Sequence, residues 1–176
     1  DPSLQQLFNV LIALDMAAAG MDAEAICKKL EETGLDSTIY ITVDTLKYLK
    51  KGGRITPAAA ALGTLLRLKP VLTIQGEKLD AFAKARTMKQ ARSMMITAIT
   101  RDLENRFDDM TGEKTYIDVA HTDNDEMAQE LAAELRELFP ETEVRVEPLS
   151  LSVACHIGPG ALAIAATKKL EIGSLL

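Results

Sequence analysis

Apolar residues near the start of the chain recur every three or four positions, which is typical of amphipathic helices. The spacing predicts a first helix that ends before Gly20 and whose apolar face consists of Leu7, Leu11, Leu14 and Ala18. Asp22 is a typical N-cap residue for a second helix, which Gly34 would end. The chain is therefore expected to open with two helices.

The period of the pattern then changes to two. Residues 38–43 alternate in the manner of a half-buried strand. Asp44 is predicted to cap a short helix that stops at the glycine pair 52–53, and Thr56 followed by a proline predicts the start of a further helix over 58–68. Strands and helices thus begin to alternate along the chain.

A β-hairpin is predicted in the next segment. Residues 71–74 and 79–85 are two apolar runs, and the turn-forming segment 75–78 joins them. Strict alternation in the second run would place three large side chains on one of its faces: Phe82, Lys84 and Arg86.

A long helix and a βαβ unit follow the hairpin. Thr87 and Gln90 form a capping box that opens the longest predicted helix. Residues 115–121 and 142–147 read as strands on either side of a helix over 124–138. The inward face of that helix is predicted to carry Met127, Leu131, Leu135 and Leu138.

The end of the chain reads as a short strand over 152–157, which runs through a glycine-rich turn into the apolar stretch 161–166. Together these elements predict an α/β fold, with a mixed β-sheet flanked by helices in residues 37–176. The helices within residues 1–36 would be an addition to that domain.

Composition narrows the classes of function. The 20 Lys and Arg residues against 26 Asp and Glu give a net charge of −6, which argues against a nucleic-acid partner. The apolar residues are mainly aliphatic, because 24 alanines and 24 leucines stand beside 7 Phe and Tyr residues and no Trp. We expect no membrane span and no signal peptide. The two cysteines have no disulfide-framework or zinc spacing, which favours a cytoplasmic location.

Two motifs near the end of the chain fit known chemistry only in part. Residues 158–163 match Gly-x-Gly-x-x-Ala, but too little chain follows for a dinucleotide-binding unit. Cys155 and His156 are adjacent, yet on the predicted strand they would point to opposite faces and could not form a nucleophile and base pair. The chain has only two histidines, and no metal site is expected.

Arg54 and His156 form the remaining candidate constellation. Arg54 directly follows the glycine pair 52–53, and His156 precedes Gly158 and Gly160, where the backbone can approach a ligand closely. A guanidinium fork and an imidazole suit a carboxylate or a phosphate. From the spacing alone, an ordinary surface role in a loop is the favoured interpretation of Arg54.

Four ordered segments resemble the DegV family, namely residues 40–55 with Lys-Gly-Gly-Arg-Ile, 62–72, 84–87 with Lys-Ala-Arg-Thr, and 156–162 with His-Ile-Gly-Pro-Gly. The resemblance implies a bacterial protein of two α/β domains that holds a long-chain fatty acid in an apolar tunnel. It further implies that the protein presents the carboxylate to a fatty acid kinase subunit, which makes the acyl phosphate. No catalysis, cofactor or metal of its own is implied.

The resemblance also assigns residues. Those implied to lie near the fatty-acid carboxylate are Arg54, His156, Gly158 and Gly160. Those implied to contact the kinase partner or the phosphoryl group are Lys84 and Arg86. Cys155 and Ile157 occupy positions where the family commonly has threonine.

The chain departs from the family in lacking its first domain. Residues 1–36 are interpreted as linking helices from a missing N-terminal domain, and residues 37–176 as the C-terminal α/β domain. Part of the site would be absent, so we expect the isolated chain to bind fatty acid weakly or not at all. Exposed apolar surface could then drive self-association.

Two other hypotheses stay open at the level of sequence. One is an acyl-transferring or hydrolytic enzyme that uses Cys155 or His156. The other is a stable domain that retains no ligand binding.

Overall fold

The computed structural model describes residues 3–33, 37–62, 68–75 and 78–169. Seven helices and six strands lie in these ranges. The helices are α1 Ser3–Ala18, α2 Ala23–Thr33, α3 Lys47–Lys51, α4 Pro57–Leu62, α5 Met88–Asp102, α6 Asp125–Leu138 and α7 Leu151–Ile157, and a π-helical segment Leu103–Phe107 extends α5. The strands are β1 Ser37–Thr42, β2 Lys69–Gln75, β3 Lys78–Ala85, β4 Thr115–His121, β5 Val144–Pro148 and β6 Leu162–Lys168.

All six strands form one sheet in the order β3-β2-β1-β6-β4-β5. The hairpin of β2 and β3 is antiparallel, and β4 and β5 are parallel because α6 crosses between them. The remaining neighbours are antiparallel. The predicted α/β fold with a mixed sheet flanked by helices is therefore confirmed.

The centre of the sheet is β6, for which the sequence pattern predicts no element. It pairs with β1 on one side and with β4 on the other, so Ala165 lies between Ile39 and Asp118. Helices cover both of its faces, and six of its seven residues are buried. A strand covered on both sides reads as a continuous apolar run, without the alternation that reveals a half-buried strand.

The strand predicted over 152–157 is wrong, because this segment is the helix α7. The amide of Val153 donates to the Ser150 carbonyl, and the helix ends where Gly158 adopts a positive φ of 83°. Short apolar runs are ambiguous between strand and helix by periodicity alone. The neighbouring residues Cys155 and His156 therefore diverge around a helix instead of across a strand.

One face of the sheet, which we call the first face, packs against α5 and α6. Its core includes Tyr40 of β1, Met95 and Ile99 of α5, and Leu131 and Leu135 of α6. The capping prediction for α5 is confirmed, since the Gln90 amide donates to the Thr87 hydroxyl oxygen at 3.1 Å. The βαβ prediction also holds, except that Leu138 is half exposed instead of inward-facing.

The opposite face, which we call the second face, packs against the shorter helices α3, α4 and α7. Its core includes Leu49 of α3, Ala59 of α4, and Val153 and Ile157 of α7. In addition, α1 contacts β6, and its Ile12 and Met16 are buried. The strand β1 contributes to both cores, so the prediction that it is half-buried is wrong.

Two other local predictions are corrected. Asp44 does not cap α3, whose N-cap is Leu46, but forms an ion pair with the Lys69 ammonium group. The helix predicted over 58–68 ends at Leu62 within the described residues, and Leu68 is not helical. Residues 34–36, 63–67 and 76–77 lie outside the described residues, so the predicted helix end at Gly34 and part of the predicted turn over 75–78 fall there.

A β-bulge divides β3 into two parts. Val71 pairs with Ala83 but the next residue, Leu72, pairs with Ala81, so Phe82 is the extra residue. The Phe82 ring lies 4.7 Å from the Tyr40 ring, on the first face. Ala81 packs with the second-face core and Ala83 with the first. The prediction that Phe82 shares a face with Lys84 and Arg86 is therefore wrong.

None of the helices within these described ranges is long and apolar enough to cross a membrane.

Candidate functional site

Arg54 and His156 approach the same glycine. The helix α3 ends at Gly52, and a Cβ atom at that position would lie 3.1 Å from His156 Nδ1 and 3.4 Å from Arg54 Cγ. Gly53 then turns the chain with a positive φ of 63°. Both polar side chains belong to exposed residues. The absence of a side chain at Gly52 thus allows α3 and α7 to bring the two residues onto one surface.

A second glycine contact fixes the other end of this surface. Gly158 has a positive φ of 83°, and a Cβ atom there would overlap the Tyr48 ring of α3. Tyr48 therefore packs directly on the backbone where α7 ends. The two short helices are joined at two points, Gly52 against His156 and Tyr48 against Gly158, which fixes the position of His156 relative to Arg54.

The loop at 158–160 is held by Thr122, which follows β4. The Thr122 hydroxyl donates to the Gly158 carbonyl at 2.6 Å and accepts from the Ala161 amide at 3.0 Å. The Gly160 amide donates to the Thr122 carbonyl at 2.6 Å, and the Gly158 amide donates to the Ala154 carbonyl at 2.7 Å. Both glycine amides are engaged within the chain. Arg54 and His156 offer side-chain donors to an anion at this surface.

Positive charge is concentrated beside this surface. The last turn of α3 carries Lys50 and Lys51, and Arg54 follows three positions later. The nearby carboxylate of Asp44, which lies against Gly160, is paired with Lys69. The local charge suits a carboxylate or phosphate, although the whole chain is acidic.

An apolar cavity of about 40 Å³ lies in the second face, below this surface. Ile157, which directly follows His156 on α7, is part of its wall. The other lining residues come from β1, β2, β3, β4, β6 and α7 and from the residue after β5: Ile39, Ile41, Ile74, Leu79, Ala120, Leu149, Val153, Ala163 and Ala165. Cavities that enclose drug-sized ligands have about 300 Å³ or more, so this cavity by itself is too small for a ligand of that size.

A separate cavity of about 320 Å³ lies between α7 and the ends of β4 and β5. Cys155 lines this cavity, whereas the His156 ring lies against Gly52. The two residues are directed to different sides of α7, so the geometry gives Cys155 no base from its neighbour. His121 also lines the cavity, but its Nδ1 accepts a hydrogen bond from the Asn124 amide at 3.2 Å.

Lys84 and Arg86 are exposed at the end of the edge strand β3. Lys84 lies opposite Pro70, next to Lys69, whose ammonium group pairs with Asp44 beside Gly160. This end of β3 is therefore at the same edge of the sheet as the 158–160 loop.

Two residues that position the site, Tyr48 and Thr122, were not found from the sequence. Tyr48 reads as one polar-aromatic residue in a lysine-rich helix, and Thr122 as the first residue after a strand. Their roles depend on contacts with residues far away in the chain. Among the described residues, no group of three or more His, Cys, Asp or Glu side chains could hold a metal ion.

The family profile described as "Uncharacterised protein, DegV family" matches residues 2–169. The chain belongs to the DegV family. A DegV domain-containing protein of Lactococcus lactis is 38% identical over 165 residues, which are 92% of this chain and 56% of that protein. One from Clostridium perfringens is 34% identical over 162 residues, 92% of this chain and 54% of that protein. The chain thus spans about half the length of the curated relatives it matches.

Solved structures of other DegV proteins share the fold. DegV of Bacillus subtilis, a fatty acid binding protein, superposes with a TM-score of 0.79 at 31% identity, covering 93% of this chain and 56% of that one. A fatty-acid-binding DegV family protein from Thermus thermophilus superposes with a TM-score of 0.80 at 33% identity, covering 92% of this chain and 56% of that one.

Proposed function

We propose that the protein containing this chain binds a long-chain fatty acid, with the carboxylate beside Arg54 and His156 and the acyl tail directed into the second face. The observation that carries this proposal is that the Arg54 and His156 side chains both approach Gly52, next to an apolar cavity whose wall includes Ile157. The fatty acid binding of the B. subtilis and T. thermophilus proteins supports it.

The two halves of a fatty acid match the two parts of this site. Arg54 can donate two parallel hydrogen bonds to a carboxylate, and His156 can add a third. Burying about 14 methylene groups at roughly 0.8 kcal/mol each contributes on the order of 11 kcal/mol before the cost of association. The aliphatic wall of Ile, Leu, Val and Ala would contribute one side of that burial without directional demands.

The limited cavity volume supports a second part of the proposal. We infer that residues 1–36 link this domain to a first domain that completes the tunnel, and that residues 37–176 form the C-terminal domain. The chain alone would bind fatty acid weakly. Val10 and Leu14 of α1 are 55% and 60% exposed, and this surface would favour self-association of the chain on its own.

We further propose that the bound carboxylate is presented to a separate fatty acid kinase subunit in the cytoplasm, with no catalysis by this protein. Lys84 and Arg86 would contact that subunit or the phosphoryl group, since they are exposed at the sheet edge that also carries the 158–160 loop. Gly158 and Gly160 would shape the carboxylate site through close backbone packing.

The test is fatty-acid binding by the protein at its natural length. We expect organic extracts of the purified protein to contain fatty acid in stoichiometric amount by mass spectrometry. Arg54→Ala should weaken binding about tenfold to a hundredfold, because hydrogen bonds to charged groups contribute about 1.5–3 kcal/mol. Arg54→Lys should recover only part of the affinity, since a point charge lacks the fork geometry.

Cys155→Ala is the matched control, because Cys155 lies on the same helix but lines the other cavity. Its affinity for fatty acid should equal that of the wild type. A purified protein without fatty acid that also fails to take it up, or an Arg54→Ala variant with wild-type affinity, would contradict the proposal.

A further inference from the structure

The second face contains a buried carboxyl group that the proposed site does not use. Asp118 of β4 is 1% exposed, and its neighbours Ile117 and Val119 both point into the first-face core. By alternation, Asp118 points to the second face. Its Oδ2 atom has no hydrogen-bond partner among the described residues. Buried polar atoms without a partner are uncommon in folded proteins and call for an explanation.

The charged groups near Asp118 do not satisfy it. Its partner across β5 is Arg145, but the Arg145 guanidinium is directed to Glu143, at 3.2 and 3.3 Å. The Arg145 charge still favours ionisation of Asp118 and lowers its pKa, whereas the negative charges of Glu147 and Glu143 oppose ionisation. On the other side, β6 offers only Ala165. Burial is the main reason that the pKa of Asp118 is raised to about 7. A carboxyl that keeps its proton can both donate and accept a hydrogen bond.

Asp118 is adjacent in the sheet to residues that line the apolar cavity. Its cross-strand partner Ala165 and the next residue on its own face, Ala120, both line that cavity. Ala165 is three positions into β6 from Leu162, so it lies roughly 10 Å from the end of the strand next to the 158–160 loop. A tail that enters from His156 would pass this point part-way along its length.

We propose that Asp118 is a specificity-determining residue, and that the pocket prefers a fatty acid with a hydroxyl group near the middle of its chain over an unsubstituted one. This inference rests on the proposed function and adds to it the kind of fatty acid that the pocket prefers. A hydroxyl group can accept from the protonated carboxyl or donate to its free oxygen. An unsubstituted tail leaves the carboxyl unpaired, and a site with an unpaired buried group discriminates against the ligand that fails to pair it.

The experiment is a competition on the protein at its natural length, stripped of lipid. Equal amounts of stearic acid and of a hydroxystearic acid with a mid-chain hydroxyl are added, and the retained acids are quantified by mass spectrometry. We expect the wild type to retain the hydroxy acid with about a tenfold preference. Asp118→Leu should abolish the preference by losing the hydroxy acid while keeping stearic acid. Asp118→Asn can still donate and accept a hydrogen bond, so this variant should keep part of the preference for the hydroxy acid.

Glu126→Gln is the matched control, because it removes an exposed carboxylate from α6, which covers the first face, and its preference should equal that of the wild type. Retention of both acids without preference, a preference for stearic acid, or a preference that survives in Asp118→Leu would overturn this inference and leave the proposed function intact. Retention of neither acid would overturn the proposed function, and this inference with it.

Discussion

The two faces of the sheet are built differently. The first face packs against the long helices α5 and α6, and Met95, Ile99 and Leu131 in its core are fully buried. The second face packs against three helices of five to seven residues and encloses the 40 Å³ cavity. Close packing stabilises a fold, whereas space lined by apolar atoms is what an apolar ligand needs. The comparison indicates that the first face is covered by longer helices, whereas the second face, which the proposed function uses, contains the apolar cavity.

Asp102 on the first face and Asp118 on the second face are both buried, but their carboxyl groups differ in hydrogen bonding. The Asp102 carboxylate on the first face accepts hydrogen bonds from the Thr38 and Tyr40 hydroxyl groups, both at 2.7 Å, and Arg106 lies 3.3 Å away. Asp118 on the second face has an oxygen atom without a partner within the described part of the chain. A buried carboxylate whose oxygen atoms accept hydrogen bonds helps to fix a single arrangement of the side chains around it. A buried carboxyl oxygen without a hydrogen-bond partner lowers the stability of the fold unless another group binds to it.

The largest expected effect is on the first-face core. Leu131→Ala removes a fully buried side chain and should lower the free energy of unfolding by about 2–5 kcal/mol, measured by urea denaturation. Leu79→Ala is the matched change on the second face, where the side chain is only partly buried and lines the cavity. Leu79→Ala should lower the free energy of unfolding by clearly less than Leu131→Ala does. Equal losses from the two variants would remove the distinction between the faces.

The next largest expected effect is the pH dependence that Asp118 gives to the free energy of unfolding. Its pKa is raised from the ordinary 3.8 to about 7 in the folded chain. Between these values the unfolded chain releases the proton while the folded chain keeps it, so the free energy of unfolding should fall as the pH rises. This decrease in the free energy of unfolding is absent below about pH 4 and complete above about pH 7, where it amounts to a few kcal/mol.

Asp118→Leu is the variant that isolates this effect. The difference in unfolding free energy between variant and wild type should grow in favour of the variant as the pH rises from 4 to 7, with denaturation curves taken at each pH. A difference that stays constant over this range would show that Asp118 does not retain its proton in the folded chain.

The smallest expected effect on stability comes from changing Asp102, the buried aspartate whose carboxylate is hydrogen-bonded. Asp102→Ala leaves the hydroxyl groups of Thr38 and Tyr40 without their acceptor and should destabilise the chain by about 1–3 kcal/mol. Burial and the bond to Asp102 both raise the pKa of Tyr40, so ultraviolet titration of the variant should show a lower tyrosine pKa. Asp102→Asn retains an acceptor oxygen and should cost less; a cost equal to that of the alanine variant would contradict the role given to these hydrogen bonds.

Elements with local signals were predictable from the sequence. The capping box at Thr87 and Gln90 placed the start of α5, and the parallel pairing of β4 and β5 followed from the helix between them. The two errors in the last part of the chain have one cause. The residues of α7 and β6 are short apolar runs, and only their packing partners decide that the first is a helix and the second a central strand.

The sequence brings Arg54 and His156 forward as a candidate pair, but only the resemblance assigns them to a fatty-acid carboxylate, and that assignment stays a prediction. Spacing alone favoured a plain surface role for Arg54, because nothing local in the sequence links it to His156. Their proximity depends on Gly52, where any side chain would press against the imidazole. Asp118 was missed because one aspartate within an alternating strand reads as a solvent-facing position. Its burial depends on elements that lie far from it in sequence.

The position of β6 has a consequence for the synthesis of the protein. Ribosomes deliver the chain from its N-terminus at about 5–20 residues per second. β6 is the last strand of the described part of the chain, yet it separates β1 from β4 in the sheet. Until it emerges, the hairpin side with β1 and the βαβ side with β4 are two incomplete sheets, each with an unpaired edge open to other chains. Newly made copies are therefore most exposed to chaperones and to aggregation in the interval just before residues 162–168 leave the exit tunnel.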